Sequence, residues 1–247
     1  MKKLTGKQLY LKKLQAKKQL KLRGGYIRIL QEQLRQDYLS LSSGISKAST
    51  KDFGINFDLF QKRITKTLTT GISKITQKQS DYLTNLWGKK SEAGQIETVA
   101  RKINIDYRKN VGDKAKNITD TARSQLNNVV ARGTQAGMSI EQISLNLQSS
   151  IIGMSVSKSE TIARTETNTV MNKQDYDTAV EVEMKTKTWL HVGTAKVDRE
   201  NHLALDGETI GIDEEFDLGN GNYAQAPMDE NLPAEEVVNC SCLAVYS

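Results

Sequence analysis

The sequence predicts a mainly α protein, an elongated helical arm and helical body closed by a small α+β cap at the C-terminus. Three observations carry this. The only prolines are Pro227 and Pro233, which leaves about 225 residues free of the strongest helix breaker. Apolar residues recur at helical spacing through the first 180 or so positions. After Glu183 the pattern changes to alternation rich in Thr, Trp and Val. At 247 residues, 37% hydrophobic and 26% charged, the composition suits a polar, helix-rich chain better than a compact enzyme with a large core.

The elements follow in order. Residues 1–42 read as helix: Leu4, Leu11, Leu14 and Leu22 lie between lysines, Gly24-Gly25 marks a break, and Ile27, Leu30, Leu34, Tyr38 and Leu41 continue the stripe. Residues 42–54, rich in Ser, Lys, Thr and Gly, read as a loop. Asn56 or Asp58 caps a second helix that runs through Phe60, Ile64, Leu68, Ile72 and Leu83 to Trp87. Gly88 to Gly94 interrupts it. A third helix spans about 95–132, with a break expected near Gly112. Gly133 to Gly137 is a turn and Ser139 caps the next helix, which ends near Gly153. A further helix runs to about Val182 and carries Ala163-Arg164-Thr165-Glu166-Thr167-Asn168. Lys185–Val192 reads as a strand, Thr209–Ile212 and Leu243–Tyr246 as two more, with ordered loop between them. The expected division is an arm at 1–54, a body at 55–183 and a cap at 184–247.

Charge is unevenly spread. The net charge is +6, yet Lys2, Lys3, Lys7, Lys12, Lys13, Lys17, Lys18, Lys21 and Arg23, followed by Arg28 and Arg35, face only Glu32 in the first 35 residues. After Arg199 no Lys or Arg occurs, while acidic residues run from Glu200 to Glu236. A lysine-rich arm suits sequence-independent contact with DNA phosphates. The alternative is a solvated arm, or one docked on an acidic protein surface. No apolar run approaches the roughly 18 residues of a membrane span, and no apolar segment follows the basic start as in a secretory signal. Neither membrane nor export is expected.

Chemistry-bearing signatures are sparse. No phosphate-binding glycine loop, nucleophile elbow or HExxH helix occurs. The strongest constellation is C-terminal: Trp189, then Asp198-Arg199-x-x-His202, Leu205-Asp206-Gly207, Pro227-x-Asp229 and Asn239-Cys240-Ser241-Cys242. Cys240 and Cys242 are too close for an unstrained disulfide, and in a strand they share a face. With His202 they offer three zinc ligands, and Asp198, Asp206 or His191 a fourth. Against this, cysteine packs as a small hydrophobe and the usual CxxC or HxxxH knuckle is missing. The expectation is therefore packing, with no cofactor. Arg164 and Glu166 belong to a partner site or, more in keeping with helix-borne ions, to an ion pair tying the helix to the cap.

The order of these motifs resembles the C-terminal domain of Mu F-like minor head proteins of tailed phages. Ile162 to Thr167 closes a helical region, Trp189 follows, and then come Asp198 to Gly207, Phe216, Pro227-Met228-Asp229 and Asn239-Cys240-x-Cys242. The likeness spans roughly 95–247 and is sharpest over 160–247. In many relatives the last motif reads Asn-Cys-Arg-Cys, whereas Ser241 stands here. The resemblance implies a non-enzymatic head-morphogenesis protein in the virion, inside the capsid near the portal and made in the host cytoplasm. Its implied partners are the portal, capsid or scaffold proteins, and packaged DNA. The alternative is a metal-dependent nuclease or group-transfer enzyme using His202, Asp206 and the cysteines.

Overall fold

The computed structural model describes residues 2–47, 53–89, 91–92, 94–193, 198–219 and 221–247. The protein is mainly α with a small α+β C-terminal cap. Four long helices, α1 (Gly6–Leu39), α2 (Phe57–Trp87), α3 (Gln95–Gln135) and α4 (Ile140–Glu181), precede it. The start of α1 is fixed by a capping box: Thr5 N–H donates to Gln8 Oε1 at 3.0 Å, and Gln8 N–H returns to Thr5 Oγ1 at 3.4 Å. Ser139 and Gln142 do the same before α4. Asn56 Oδ1 accepts from Leu59 N–H at 2.8 Å and caps α2. Asn56→Ala is expected to cost about 1 kcal/mol in urea unfolding; no measurable change would contradict the cap.

Three expected breaks are absent. Gly24-Gly25, Gly112 and Gly153 all lie inside continuous helices. An interior glycine costs about 1 kcal/mol relative to alanine. Burial of Ala16 and Leu30 on either side of Gly24-Gly25, or of Ile151 and Met154 around Gly153, outweighs that. The chain also does not begin as helix: Lys2–Lys3 form a short strand, β1. In the region expected to be loop, Ser40–Lys47 form a 3-10 helix, and residues 48–52 lie outside the described residues. Gly88 begins a turn as expected, with residues 90 and 93 outside the described ones.

Two compact units are present. One comprises Arg28–Gly71 and Asp106–Ala163. Its core includes Leu34, Tyr38, Leu41, Phe60, Ile64 and Leu68, with Tyr38 edge-on to Phe60 at 5.1 Å. Gly71 lets α1 and α2 approach, since a Cβ there would stand 2.8 Å from Leu30 Cδ1.

The other unit comprises Met1–Ile27, Ile72–Ile105 and Arg164–Ser247, and so contains the cap. Its antiparallel sheet has the order β1, β3 (Glu208–Gly211), β2 (Thr186–Leu190), β6 (Leu243–Tyr246). The three expected strands are present within a residue or two. The intervening segment is more ordered than expected, with α5 (Glu200–Ala204), a hairpin of β4 (Phe216–Gly219) and β5 (Asn222–Ala224), and α6 (Ala234–Val237). Trp189 pairs with Ala244 and Leu190 with Leu243, so the two-residue period sends alternate side chains to opposite faces. Leu190, Leu243 and Val245 pack against Leu9, Ala16 and Leu20 of α1. Trp189 and Cys242 face a second cluster with Phe216, Met228 and Leu232.

Lys187, on β2, is fully buried. Its Nζ donates to Gln225 Oε1 at 2.9 Å and lies 4.8 Å from the Tyr176 ring centre. Burial pushes the ammonium down to about 8, against the pull of Asp213, Glu215 and Asp229. The unfolded chain keeps that proton to about pH 10.4. Between those values the unfolded state binds more protons, so this group makes stability rise with pH across the window. Lys187→Met is expected to remove that rise, as read from urea midpoints at about pH 7.5 and about pH 9.5. An identical pH response in both proteins would contradict the burial argument.

Candidate functional site

The C-terminal motif is held by one face of α4. Thr165, Asn168 and Asn172 are spaced i, i+3 and i+7, which places them in line on a helix. Asn168 Nδ2 donates to the Cys240 carbonyl and Asn172 Nδ2 to the Cys242 carbonyl, both at 3.0 Å. Thr165 Oγ1 accepts from Asn239 N–H at 3.2 Å. Asn239 itself has φ +62°, a conformation that asparagine tolerates better than most residues. The irregular backbone of 239–242 is thus bonded by helix side chains at Asn239, Cys240 and Cys242 before β6 begins.

Beneath this ladder lies a buried polar cluster. Arg23, 2% exposed, donates through Nη2 to Asp175 Oδ2 at 2.9 Å and to Asn172 Oδ1 at 2.7 Å. Gln19 and Gln79 also donate to Asp175. Arg23 therefore does not belong to the cationic surface expected of the arm. Its charge is consumed inside the unit by an aspartate far away in sequence. Lys13 pairs with Asp206 at 2.6 Å and Lys12 donates to Ser247 Oγ at 2.5 Å. Lys7, Lys17, Lys18 and Lys21 are exposed. The side chains of Lys2 and Lys3 lie outside the described ones.

His202, Cys240 and Cys242 meet, as their strand and turn signals predict. Their ligand atoms all lie within 4.8 Å of one another. Cys240 Sγ is 3.5 Å from His202 Nδ1. Cys242 Sγ is 3.7 Å from His202 Nδ1 and 3.7 Å from His191 Nδ1. Each imidazole has its other nitrogen on a carboxylate: His202 Nε2 on Glu236 Oε2 at 2.9 Å and His191 Nε2 on Asp198 Oδ1 at 3.2 Å. The Cys242 thiol, and after it His202, hold the Cys240 thiol well below its ordinary range. Cys242, the donor of that pair and itself buried, is pushed up. Trp189 stands edge-on to His202 at 5.3 Å and to Phe216 at 5.2 Å.

The other motif residues frame this cluster. Asp206 Oδ1 accepts from His191 N–H at 2.8 Å, so it fixes the end of β2 instead of joining the ligand atoms. Gly207, at φ +81°, turns α5 into β3, and its N–H donates to the Trp189 carbonyl. Arg199 donates to the carbonyls of Glu235 and Val238 at the end of α6. Arg164 and Glu166 flank Thr165 on α4; Glu166 is buried and Arg164 half-buried, and both interact with their surroundings. Sequence reasoning missed Glu236, Thr165, Asn168 and Asn172. The i, i+3, i+7 spacing of polar Thr165, Asn168 and Asn172 on α4 was the available signal for three of them.

Fold and site together define a helical protein with a small antiparallel cap built around a buried His/Cys cluster. Its C-terminal half, residues 124–245, belongs to the family described as Phage Mu protein F like protein, a phage head-morphogenesis family. A stretch of 121 residues is 33% identical to the uncharacterized protein YqbB of Bacillus subtilis (strain 168), covering 48% of this chain. The match takes in 39% of that relative, so the chain spans about two fifths of its length. No solved structure matches the chain.

Proposed function

We propose that this chain is a minor head protein of a tailed phage that binds the portal during head assembly and touches packaged DNA. The family match over 124–245 carries the head-morphogenesis part of the reading. A portal contact is supported by α4. Leu145, Ile152 and Val156 are 64%, 58% and 54% exposed and fall at i, i+7 and i+11, one stripe of the helix. Between Glu141 and Lys158 this helix carries no charge. An uncharged apolar stripe of that length is a contact surface waiting for a partner. An oligomeric portal ring is the partner that the family's role supplies, with capsid or scaffold proteins as further neighbours. The protein then resides inside the capsid near the portal, after synthesis in the host cytoplasm. Among the described residues, no helix is long and apolar enough to cross a membrane.

Co-expression with the cognate portal is expected to give a complex that survives size exclusion. Leu145→Asp with Ile152→Asp should abolish it while leaving the circular dichroism spectrum unchanged. Failure of the native chain to co-elute, or undiminished binding by the double variant, would contradict this surface.

DNA contact is supported by the exposed Lys7, Lys17, Lys18 and Lys21 on α1. Changing Lys17, Lys18 and Lys21 to Glu should weaken low-salt binding and flatten its salt dependence, each lost phosphate contact lowering the log–log slope by about 0.9. Binding indifferent to salt or to these changes would exclude the arm.

A non-catalytic role is supported by accessibility. Cys240, His202 and Glu236 do form a nucleophile–base–carboxylate line at 3.5 and 2.9 Å. Cys240, however, is 1% exposed, and a substrate must reach the sulfur for that line to act.

A further inference from the structure

We propose that the cap holds one zinc ion, ligated by Cys240 Sγ, Cys242 Sγ, His202 Nδ1 and His191 Nδ1. Zinc–sulfur bonds near 2.3 Å and zinc–nitrogen bonds near 2.0 Å put tetrahedral S···N edges at about 3.5 Å. The three S···N distances here are 3.5, 3.7 and 3.7 Å. Separate thiol–imidazole hydrogen bonds would pair each sulfur with its own nitrogen. Instead His202 Nδ1 lies between both sulfurs, and Cys242 Sγ lies equally far from both imidazoles. Shared vertices of that kind match three of the four S···N edges of one coordination polyhedron. Its tight part is His202, Cys240 and Cys242, all buried, and His191, whose Nδ1 lies 3.7 Å from Cys242 Sγ, would supply the fourth donor from the Cys242 side.

The surroundings are those of a metal-ligand shell. Glu236 and Asp198 each take the far nitrogen of one imidazole, which orients the ring and directs the Nδ1 lone pair inward. The Cys242 N–H donates to Cys240 Sγ at 3.4 Å, a bond that favours a thiolate. Two thiolates cancel the charge of a divalent cation, so the loaded centre can sit in an apolar core with Trp189 and Phe216. Two sulfur and two nitrogen donors in a tetrahedral arrangement select zinc over harder cations. The ion would join the end of β2, α5 and the 239–242 segment, and so staple the C-terminus into the cap.

The test uses the full chain, purified under reducing conditions and analysed for metal. The expected result is one zinc per chain. Cobalt(II) added to zinc-depleted protein should give a sulfur-to-metal charge-transfer band and strong visible absorption of a tetrahedral site. Chelation should lower the melting temperature, and zinc should restore it. His202→Ala and Cys240→Ser should lose stoichiometric metal, and His191→Ala should bind zinc at least tenfold more weakly. A native chain that purifies with only traces of metal and gives no cobalt–thiolate band would overturn the proposal, independently of whether any variant folds. So would a band that persists in the Cys240→Ser, Cys242→Ser double variant. Native affinity in His191→Ala would overturn the fourth ligand.

Discussion

Asp175→Ala is expected to destabilise the protein by about 3–5 kcal/mol, the range for removing one partner of a buried ion pair. Asp175 is buried and accepts from Arg23, Gln19 and Gln79. Alanine would leave the Arg23 guanidinium without its counter-charge in a unit where that side chain is 3% exposed. The damage should spread along the connected bonds, because Arg23 also orients Asn172, and Asn172 donates to the Cys242 carbonyl. Replacing both partners with apolar residues, Arg23→Met with Asp175→Leu, should recover much of the loss, since no charge is then stranded. Urea denaturation of the single and double variants checks this. A single-variant loss below about 1 kcal/mol would mean that water reaches Arg23.

Trp189→Ala is expected to cost about 3–5 kcal/mol, as for other large aromatic deletions from a core. Trp189 is fully buried and touches Phe216 and His202 edge-on. Its removal would open a cavity beside the His/Cys cluster, not at the unit's edge. Trp189→Phe keeps most of the apolar volume and should cost distinctly less. Equal losses for the two variants would show that the indole, and not ring packing, is what the site requires.

Much of this architecture is legible from sequence, for definable reasons. The strand near 186 is signalled by alternation, and those near 209 and 243 by short runs set off by turn-rich segments. Helix ends with side-chain caps, at Asn56 and Ser139, are equally local and equally readable. Helix breaks are not. Gly24-Gly25, Gly112 and Gly153 carry a real local penalty, but the packing that overrides it involves residues distant in sequence. β1 is invisible for the same reason, since Lys2 and Lys3 become a strand only through the free edge of β3.

The candidate site divides similarly. The meeting of His202 with Cys240 and Cys242 follows from turn and strand signals that return the terminus to α5. Glu236 does not, because nothing around it marks a carboxylate aimed at a histidine 34 residues earlier. Charge counting along the arm treats Arg23 like its lysine neighbours. Only the fold reveals that Arg23 faces inward to Asp175, while Lys17, Lys18 and Lys21 face solvent.

A component of phage heads must be found in purified particles. The direct measurement is quantitative mass spectrometry of purified heads from the phage or induced prophage that encodes it. The chain should be present in portal-like amounts, far below the major capsid protein, and should be lost from heads assembled without portal. Its absence from intact heads, or unchanged incorporation when portal is missing, would contradict a place in the head beside the portal.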